Sequence, residues 1–126
     1  MSILKLVDEQ LTRIDIPYEF MEWTQAVTYP YFTGELTEET VQSEGHRVYR
    51  LLLNGFSRGP GSYAKLEGIR ERIREHFDAD YGLRLPKEDG CAVIFYDGAF
   101  YVPTGEAELK RIQINLFIQE WTTKGE

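Results

Sequence analysis

The sequence ELKRIQINLFIQEWT at residues 108–122 carries the clearest secondary-structure signal in the chain. Its apolar residues Ile112, Ile114, Leu116 and Ile118 alternate with residues that are mostly polar. A period of two is that of a β-strand, because successive side chains of a strand point to opposite faces. The segment therefore predicts a long strand with one face on the core and one polar face.

Further strands are predicted at residues 18–23, 26–36, 46–56, 91–96 and 99–102. Residues 46–56 are so continuously apolar that they predict a central strand covered on both faces. Between the last two segments, Asp97-Gly98 is typical of a tight turn that needs positive φ, so these segments are predicted to form a hairpin. The acidic segment Thr37 to Gly45 predicts a solvated loop or a hairpin extension.

Two segments have the spacing of helices, with apolar residues three or four positions apart. The first starts after Ser2, a predicted N-cap, and ends before Pro17; it has Leu4, Val7, Leu11 and Ile14 on one face. The second starts at Ser62, again as a predicted N-cap, with Leu66, Ile69, Ile73 and Phe77 on one face.

The predicted order is therefore helix, three strands, helix, three strands. Helices that do not alternate regularly with strands favour an α+β fold over a series of βαβ units. We expect two main helices packed on a mixed or antiparallel sheet of about five to six strands. A chain of 126 residues is close to the commonest domain size, so residues 1–126 are expected to form a single domain.

Composition limits the classes of function. With 21 acidic and 14 basic residues the net charge is -7, which disfavours sequence-specific binding to DNA phosphates. The sequence has no apolar run long enough to span a bilayer and no signal-peptide pattern, so we expect a cytoplasmic protein without membrane contact. The one cysteine, Cys91, lies in an apolar run and is expected to be a buried thiol.

Patterns of catalytic or metal-binding chemistry are mostly missing from the sequence. The loop from Gly55 to Ser62 places glycines before a helix, but it lacks the Lys of a phosphate-binding P-loop, so only Arg58 keeps an anion site open. His46 and His76 do not have the spacing of zinc ligands. We therefore predict no catalytic residues, no metal site and no cofactor.

The segment Tyr29-Pro30-Tyr31-Phe32-Thr33-Gly34-Glu35 is rich in aromatic residues and contains a proline. This composition suits an edge strand or the entry to a strand, and an exposed edge is a natural place for a second chain to bind. Trp121, near the end of the last strand, is a second candidate interface anchor, although closing the core would explain it equally well.

Taken together, the N-terminal helix, the Tyr29 to Glu35 segment, the turn Gly55-Phe56-Ser57-Arg58-Gly59 before Ser62, and the strand-rich end resemble a known group. The chain resembles, over nearly its whole length, the small tail-completion proteins of long-tailed phages and prophages. Within that group it is most similar to the tail terminator and tail-to-head joining (minor tail) proteins.

The resemblance implies a structural virion protein without enzymatic activity. Members of the group that the chain resembles are compact α/β subunits that form hexameric rings at the head-proximal end of the tail. Such a homo-oligomer caps the tail tube, contacts the tail tube protein and the head-tail connector, and assembles in the cytoplasm of the bacterial host. An acidic ring would also let DNA pass without holding its phosphates.

The residues expected at the interfaces lie in the aromatic segment, the acidic loop, the glycine-rich turn and the last strand. They are Tyr29, Tyr31, Phe32, Glu35, Glu38, Glu39, Arg58 and Trp121. Three alternatives stay open: another neck or minor tail component, an adaptor for one cellular protein, or a small enzyme or anion- or ligand-binding domain. The last would use the Gly55 to Ser62 loop with Arg58 or His46.

Overall fold

The computed structural model describes residues 2–39, 45–78 and 80–122. In chain order the elements are α1 (Ile3–Arg13), β1 (Tyr18–Phe20), β2 (Tyr31–Glu39), β3 (His46–Arg58), α2 (Ser62–Phe77), β4 (Leu83–Lys87), β5 (Gly90–Val102) and β6 (Leu109–Thr122). The predicted α+β class and the order helix, three strands, helix, three strands are confirmed.

All six strands of the described residues form one mixed sheet with the order β1-β2-β3-β6-β5-β4. β1 runs parallel to β2, and every other neighbouring pair is antiparallel. The two longest contacts are those of β3 with β6 and β6 with β5, so the alternating strand that dominates the sequence lies at the centre.

Both helices pack on one face of this sheet. Ile112, Ile114, Leu116 and Ile118 of β6 are fully buried there together with residues of α1 and α2. The prediction that residues 46–56 are covered on both faces is wrong, because no helix of the described residues lies on the opposite face. On that face Val48 and Asn54 of β3 are buried and Leu52 is partly buried.

The first helix forms as predicted. Ser2 is its N-cap, and the backbone N–H of Lys5 donates to Ser2 Oγ at 3.2 Å. This bond satisfies one of the amides that a helix start leaves without a partner.

The second helix buries Leu66, Ile69, Ile73 and Phe77 as predicted, but its N-cap is Gly61 and not Ser62. Gly61 has a φ of 75°, which turns the chain into the helix and is strained for any residue with a Cβ. Ser62 is the first helical residue, and its hydroxyl donates to the carbonyl of Gly59 at 2.7 Å. The serine therefore closes the turn before the helix and caps no helical amide.

Polar contacts tie α2 to the sheet. The Tyr101 hydroxyl of β5 donates to Glu67 Oε1 at 2.5 Å, and Arg70 forms an ion pair with Glu67 at 2.7 Å. The hydrogen bond from Arg70 lowers the pKa of Glu67, so this carboxylate stays charged and keeps accepting from Tyr101. These contacts hold α2 over the C-terminal half of β5.

The hairpin predicted at residues 91–102 is wrong: β5 is one continuous strand with an irregularity at Asp97-Gly98. Both halves pair with β6, since Tyr96 lies opposite Leu116 and Ala99 opposite Ile114. One extra residue is therefore accommodated in β5, as in a β-bulge. Gly98 has a φ of 99°, a conformation that a bulge and a tight turn both use.

The first two strands differ in extent from the predicted segments. β1 stops at Phe20 because Met21, with a φ of 70°, turns the chain away while its N–H donates to the Gly34 carbonyl at 2.8 Å. β2 starts at Tyr31, and residues 37–39 continue the strand, which agrees with the predicted hairpin extension and not with the predicted loop. Residues 40–44 of that predicted loop lie outside the described residues.

β2 is only partly an edge strand. β1 pairs with it from Phe32 to Gly34, whereas residues Glu35 to Glu39 have no strand of the described residues on their outer side. Tyr29 to Glu35 is thus the entry to β2, the second of the two predicted alternatives, and the free edge covers Glu35 to Glu39.

Candidate functional site

The face of the sheet opposite the helices, here called the open face, has no covering layer among the described helices and strands. Register and strand alternation place on it Tyr31, Glu35, Glu39, Val48, Arg50, Asn54, Phe56, Arg111, Gln113, Phe117, Trp121, Cys91, Phe95 and Asp97. The surface combines aromatic rings with arginines and amides.

Aromatic side chains gather at one end of the open face. The ring of Tyr31 is 5.0 Å from Trp23, 5.7 Å from Tyr29 and 5.1 Å from Phe56, measured between ring centroids. These four residues are called the aromatic cluster. Tyr31 and Phe56 are cross-strand partners in β2 and β3, so the register of the sheet itself builds the cluster.

Arg58 lies beside the aromatic cluster. Its guanidinium carbon is 5.8 Å from the centroid of the Tyr29 ring, and its NH2 is 3.4 Å from a carboxylate oxygen of Glu106. The structure therefore brings Tyr29, Tyr31 and Arg58, three of the predicted interface residues, into one region, in which Tyr29 is exposed and the other two are partly buried. Arg58, the arginine considered for an anion site, therefore already has a carboxylate partner in Glu106.

The loop considered for an anion site is shorter than the sequence indicated. Residues 55–58 belong to β3, so the connection to α2 consists of Gly59, Pro60 and Gly61. His46, the other residue considered for this site, lies at the opposite end of β3. The strand rise places the two ends about 40 Å apart, so His46 and Arg58 do not share a site.

A buried amide organises the centre of the open face. Asn54 Oδ1 accepts from Arg111 NH2 at 2.8 Å and from Gln113 Nε2 at 3.0 Å, while Asn54 Nδ2 donates to Glu35 Oε2 at 3.1 Å. Asn54 is buried, whereas Glu35 is exposed. These bonds satisfy the buried amide and hold Glu35 at the edge of the sheet.

The predicted acidic residues lie along β2. Glu39 forms an ion pair with Arg50 at 2.5 Å, and Arg50 also contacts Asp97 at 2.9 Å. Glu38 is exposed on the helix side of the same strand. The structure therefore places Glu35, Glu38 and Glu39 together, but away from the aromatic cluster.

A second aromatic surface lies at the other end of β3. Trp121 stacks on His46 with ring centroids 4.9 Å apart and an interplanar angle of 7°, and it remains 38% exposed. Cys91 is the cross-strand partner of Trp121 in β5 and is only partly buried, so the prediction of a buried thiol is wrong. The cysteine is on the open face, where the strand has no helix above it.

Phe32 is the one predicted interface residue that faces inward. It is 0% exposed and belongs to the core, because it follows Tyr31 in a strand and so points to the opposite face. In this fold it offers no surface to a partner.

An ion pair that the sequence analysis did not identify lies at the end of the core face. Lys87 and Glu120 contact each other with side chains 5% and 7% exposed, and the Tyr49 hydroxyl donates to Glu120 at 3.3 Å. Glu120 continues the core-facing alternation of β6. A carboxylate at a core-facing position is the signal that could have predicted a buried cationic partner.

The described residues show little that suits catalysis. They include no group of three or more His, Cys, Asp or Glu that could hold a metal ion. A cleft of about 400 Å³ beside the β5–β6 connection is lined by Tyr63, Thr104, Glu106 and Lys110, among others. Lys110 Nζ donates there to the Ala107 carbonyl at 2.7 Å, and no histidine or cysteine lines the cleft.

No helix of the described residues has both the length and the apolar character needed to cross a membrane. Models of known protein families give no match to the chain, and no curated protein matches it significantly. The resemblance to tail-completion proteins therefore depends on the residues quoted above.

Proposed function

We propose that the protein is a structural subunit of a phage or prophage tail, acting as a tail terminator or tail-to-head joining protein. In this role it forms an oligomeric ring, hexameric in the family it resembles, that caps the tail tube and presents a surface to the head-tail connector. The role needs no catalysis and no cofactor. The protein would assemble in the bacterial cytoplasm and remain in the virion at the head-proximal end of the tail.

The observation that carries this proposal is the presence of two exposed aromatic surfaces at opposite ends of one strand. The aromatic cluster includes Phe56 near the end of β3, and the stack of His46 and Trp121 lies at the start of this strand. The strand rise separates Phe56 from His46 by about 33 Å. A protein that joins two assemblies needs two such separated contact surfaces on a rigid body, and aromatic residues are enriched in interfaces.

The charge of the chain is consistent with this role. Each subunit has a net charge of -7, so a ring would carry a strongly acidic surface. DNA phosphates are repelled by such a surface, which favours passage through the ring over retention.

The geometry favours this proposal over an anion-binding domain at the turn before α2. A phosphate bound near Arg58 would compete with Glu106 for the guanidinium. A second carboxylate is also near, since Glu108 Oε2 lies 3.9 Å from Arg58 NH1. Two carboxylates beside the cation weaken the attraction for an added anion. Thermal stabilisation by a panel of nucleotides and phosphate would detect such a ligand.

Sedimentation over a wide concentration range, with and without tail tubes, followed by electron microscopy, tests the proposal. We expect rings, or density that caps one end of the tubes. A protein that stays monomeric and ignores the tubes at every concentration would contradict the proposed function.

Variants of the two aromatic surfaces test the observation behind the proposal. We expect Tyr29→Ala and Trp121→Ala each to weaken one of the two activities, tube capping or head joining, while the other persists. Both side chains are 38% exposed, so the fold should tolerate their removal. Tyr81→Ala is the matched control, because Tyr81 is 83% exposed and lies in neither surface. If both variants retain both activities, the aromatic surfaces are not the contacts.

A further inference from the structure

In the described sheet three strand edges have no neighbouring strand, namely β1, the second half of β2 and β4, and the last two are opposite in charge. One is residues Glu35 to Glu39 of β2, here called the acidic edge, with three carboxylates and no basic residue. The other is β4, Leu83–Lys87, here called the basic edge, with Arg84 and Lys87 and no acidic residue. Opposite charges on matching surfaces favour contact between them and select against other pairings.

The two edges also have compatible directions. Four antiparallel steps lead from β2 through β3, β6 and β5 to β4, so β2 and β4 point the same way. Copies related by rotation about an axis along the strands would therefore place β4 of one copy parallel to β2 of the next. β2 already accepts a parallel neighbour, since β1 pairs with it from Phe32 to Gly34.

The end of β1 leaves the acidic edge accessible. Met21 has a φ of 70°, which costs energy for a residue with a side chain, and there the chain turns away from β2. The parallel ladder that β1 begins therefore stops at Gly34, and the outer side of the next residues remains free of any described strand.

We propose that neighbouring copies of this protein join edge to edge, with the basic edge of one copy continuing the parallel ladder along the acidic edge of the next. The inference rests on the ring of the proposed function and identifies the surfaces that form it. A contact between two different surfaces of identical subunits is heterologous, and such contacts close into rings when the rotation between copies is suitable.

One register matches the two faces of the sheet and the side chains on them. Arg84 and Thr37 both lie on the open face, and Leu83 and Leu36 both lie on the helix side. Pairing Arg84 with Thr37 places Leu83 opposite Leu36 and sets Arg84 between Glu35 and Glu39, and it keeps β4 clear of Phe20, which already pairs with Gly34. Both leucines are partly buried against the core of their own subunit, so the contact would complete their burial.

The same register carries Lys87 past Glu39. Lys87 already contacts Glu120 and is 5% exposed, so it adds little new attraction. Arg84 and Glu35 are exposed, and within the described ranges neither forms an ion pair, so this pair carries the charge recognition. Pro86 has no N–H to donate, which limits the backbone ladder and leaves side chains to supply specificity.

The register implies tilted strands. Within one subunit the pairings through β5, β6 and β3 place Arg84 level with Glu39. Pairing with Thr37 of the next copy therefore requires a stagger of roughly two residues, or about 7 Å, per subunit. Closed sheets accommodate such staggers by tilting their strands relative to the axis.

Cysteine cross-linking tests the contact directly. In a Cys91→Ser background, Glu35→Cys and Arg84→Cys are combined in one chain and treated with a short bis-maleimide. We expect a ladder of covalent oligomers that ends at the size of the closed ring. Each single-cysteine variant, and a control pair with Glu75→Cys in place of Glu35→Cys, should give no ladder, because Glu75 is exposed on α2 and away from both edges.

A charge exchange provides a second, independent test. Glu35→Arg and Arg84→Glu alone should each raise the protein concentration needed for half-maximal assembly about tenfold or more, since each brings like charges together. The double variant Glu35→Arg/Arg84→Glu restores opposite charges at every joint and should assemble nearly as well as wild type. Circular dichroism of each variant checks that the fold is retained.

The outcomes separate this inference from the proposed function. Wild-type rings that give no covalent ladder, or charge variants that assemble as well as wild type, would overturn the edge-to-edge contact and leave the ring standing. A wild-type protein that does not self-associate with or without tail tubes would overturn the proposed function and this contact together.

Discussion

Gly55 and Phe32 form a close contact that leaves no room for a larger side chain at residue 55. They are cross-strand partners in β3 and β2, and the Phe32 ring lies directly over the glycine. A Cβ added at residue 55 would lie 2.2 Å from Phe32 Cε2 and 2.4 Å from Cζ, whereas ordinary contacts begin near 3.4 Å. The ring would therefore have to move by about 1.2 Å, and because Phe32 is fully buried it has no free space to enter.

We expect Gly55→Ala to lower the free energy of unfolding by about 3 kcal/mol, the upper end of the usual cost of overpacking a core. For a chain of this size the melting temperature should fall by about 10 °C. Urea unfolding followed by circular dichroism measures the loss, with an unchanged m-value showing that the change is one of stability.

Gly68→Ala is the matched control for this substitution. Gly68 lies inside α2, and an added Cβ would meet no atom within 4 Å. Replacing a helical glycine by alanine should stabilise the protein by about 0.5–1 kcal/mol. The same chemical change is thus expected to have opposite signs at the two positions.

A second substitution tests the cause. In Gly55→Ala/Phe32→Leu the smaller side chain leaves room for the new methyl group, so the two changes together should cost at least about 1 kcal/mol less than the sum of the single changes. A Gly55→Ala protein within about 0.5 kcal/mol of wild type, or strictly additive effects in the double variant, would refute the reasoning.

Three further predictions concern buried polar groups. Lys87→Met should cost about 3–5 kcal/mol in urea unfolding because it leaves the Glu120 carboxylate buried beside an apolar side chain, and Lys87→Met/Glu120→Leu should recover most of the loss. The Tyr18 hydroxyl is buried without a hydrogen-bond partner among the described residues, so Tyr18→Phe should stabilise the protein by about 1 kcal/mol. Burial raises the pKa of Tyr18 to about 12, above its unfolded value near 10. The unfolded chain therefore loses the proton first, so thermal melts of wild type should show stability falling as the pH rises between these values, and Tyr18→Phe should lose less. Burial lowers the pKa of His76; the unfolded chain therefore takes up the proton first, and stability should fall as the pH drops below about 6.5, an effect that His76→Gln should remove in unfolding experiments from pH 7 to 5.

Much of the fold could be predicted because burial acts on regular spacings. The alternation in β6 and the three- and four-residue spacing in α2 each identify one face that the core covers, and both elements form as predicted. Burial is a property of each element's own sequence, so these patterns need no knowledge of the partner elements.

The errors arose where distant pairing decides the structure. Asp97-Gly98 supplies backbone conformations that suit a hairpin turn and a bulge alike, and only the continued pairing of both halves of β5 with β6 selects the bulge. The apolar run of β3 likewise predicted a second covering layer, although in the described residues the helices cover only one face of this strand.

The candidate site was predicted only in part, again because pairing between distant strands decides which residues meet. Composition identified Tyr29, Tyr31 and Arg58 as predicted interface residues, but only the pairing of β2 with β3 adds Phe56 to the cluster. Strict alternation would have separated Phe32 from Tyr31, since neighbours in a strand face opposite sides. The buried pair of Lys87 and Glu120 joins residues far apart in the sequence, and its cationic member gave no local signal.

The irregularity in β5 determines where the length of this strand can change. Tyr96 and Ala99 face the core on either side of it, with two residues between them where a regular strand has one. Deleting Gly98 would leave Asp97 alone between these two core-facing residues and would preserve the pairing of everything that follows. Deleting a residue of the strand outside Asp97-Gly98 would turn the following side chains to the wrong face. Natural relatives that lack one residue in β5 are therefore expected to lack it at this position.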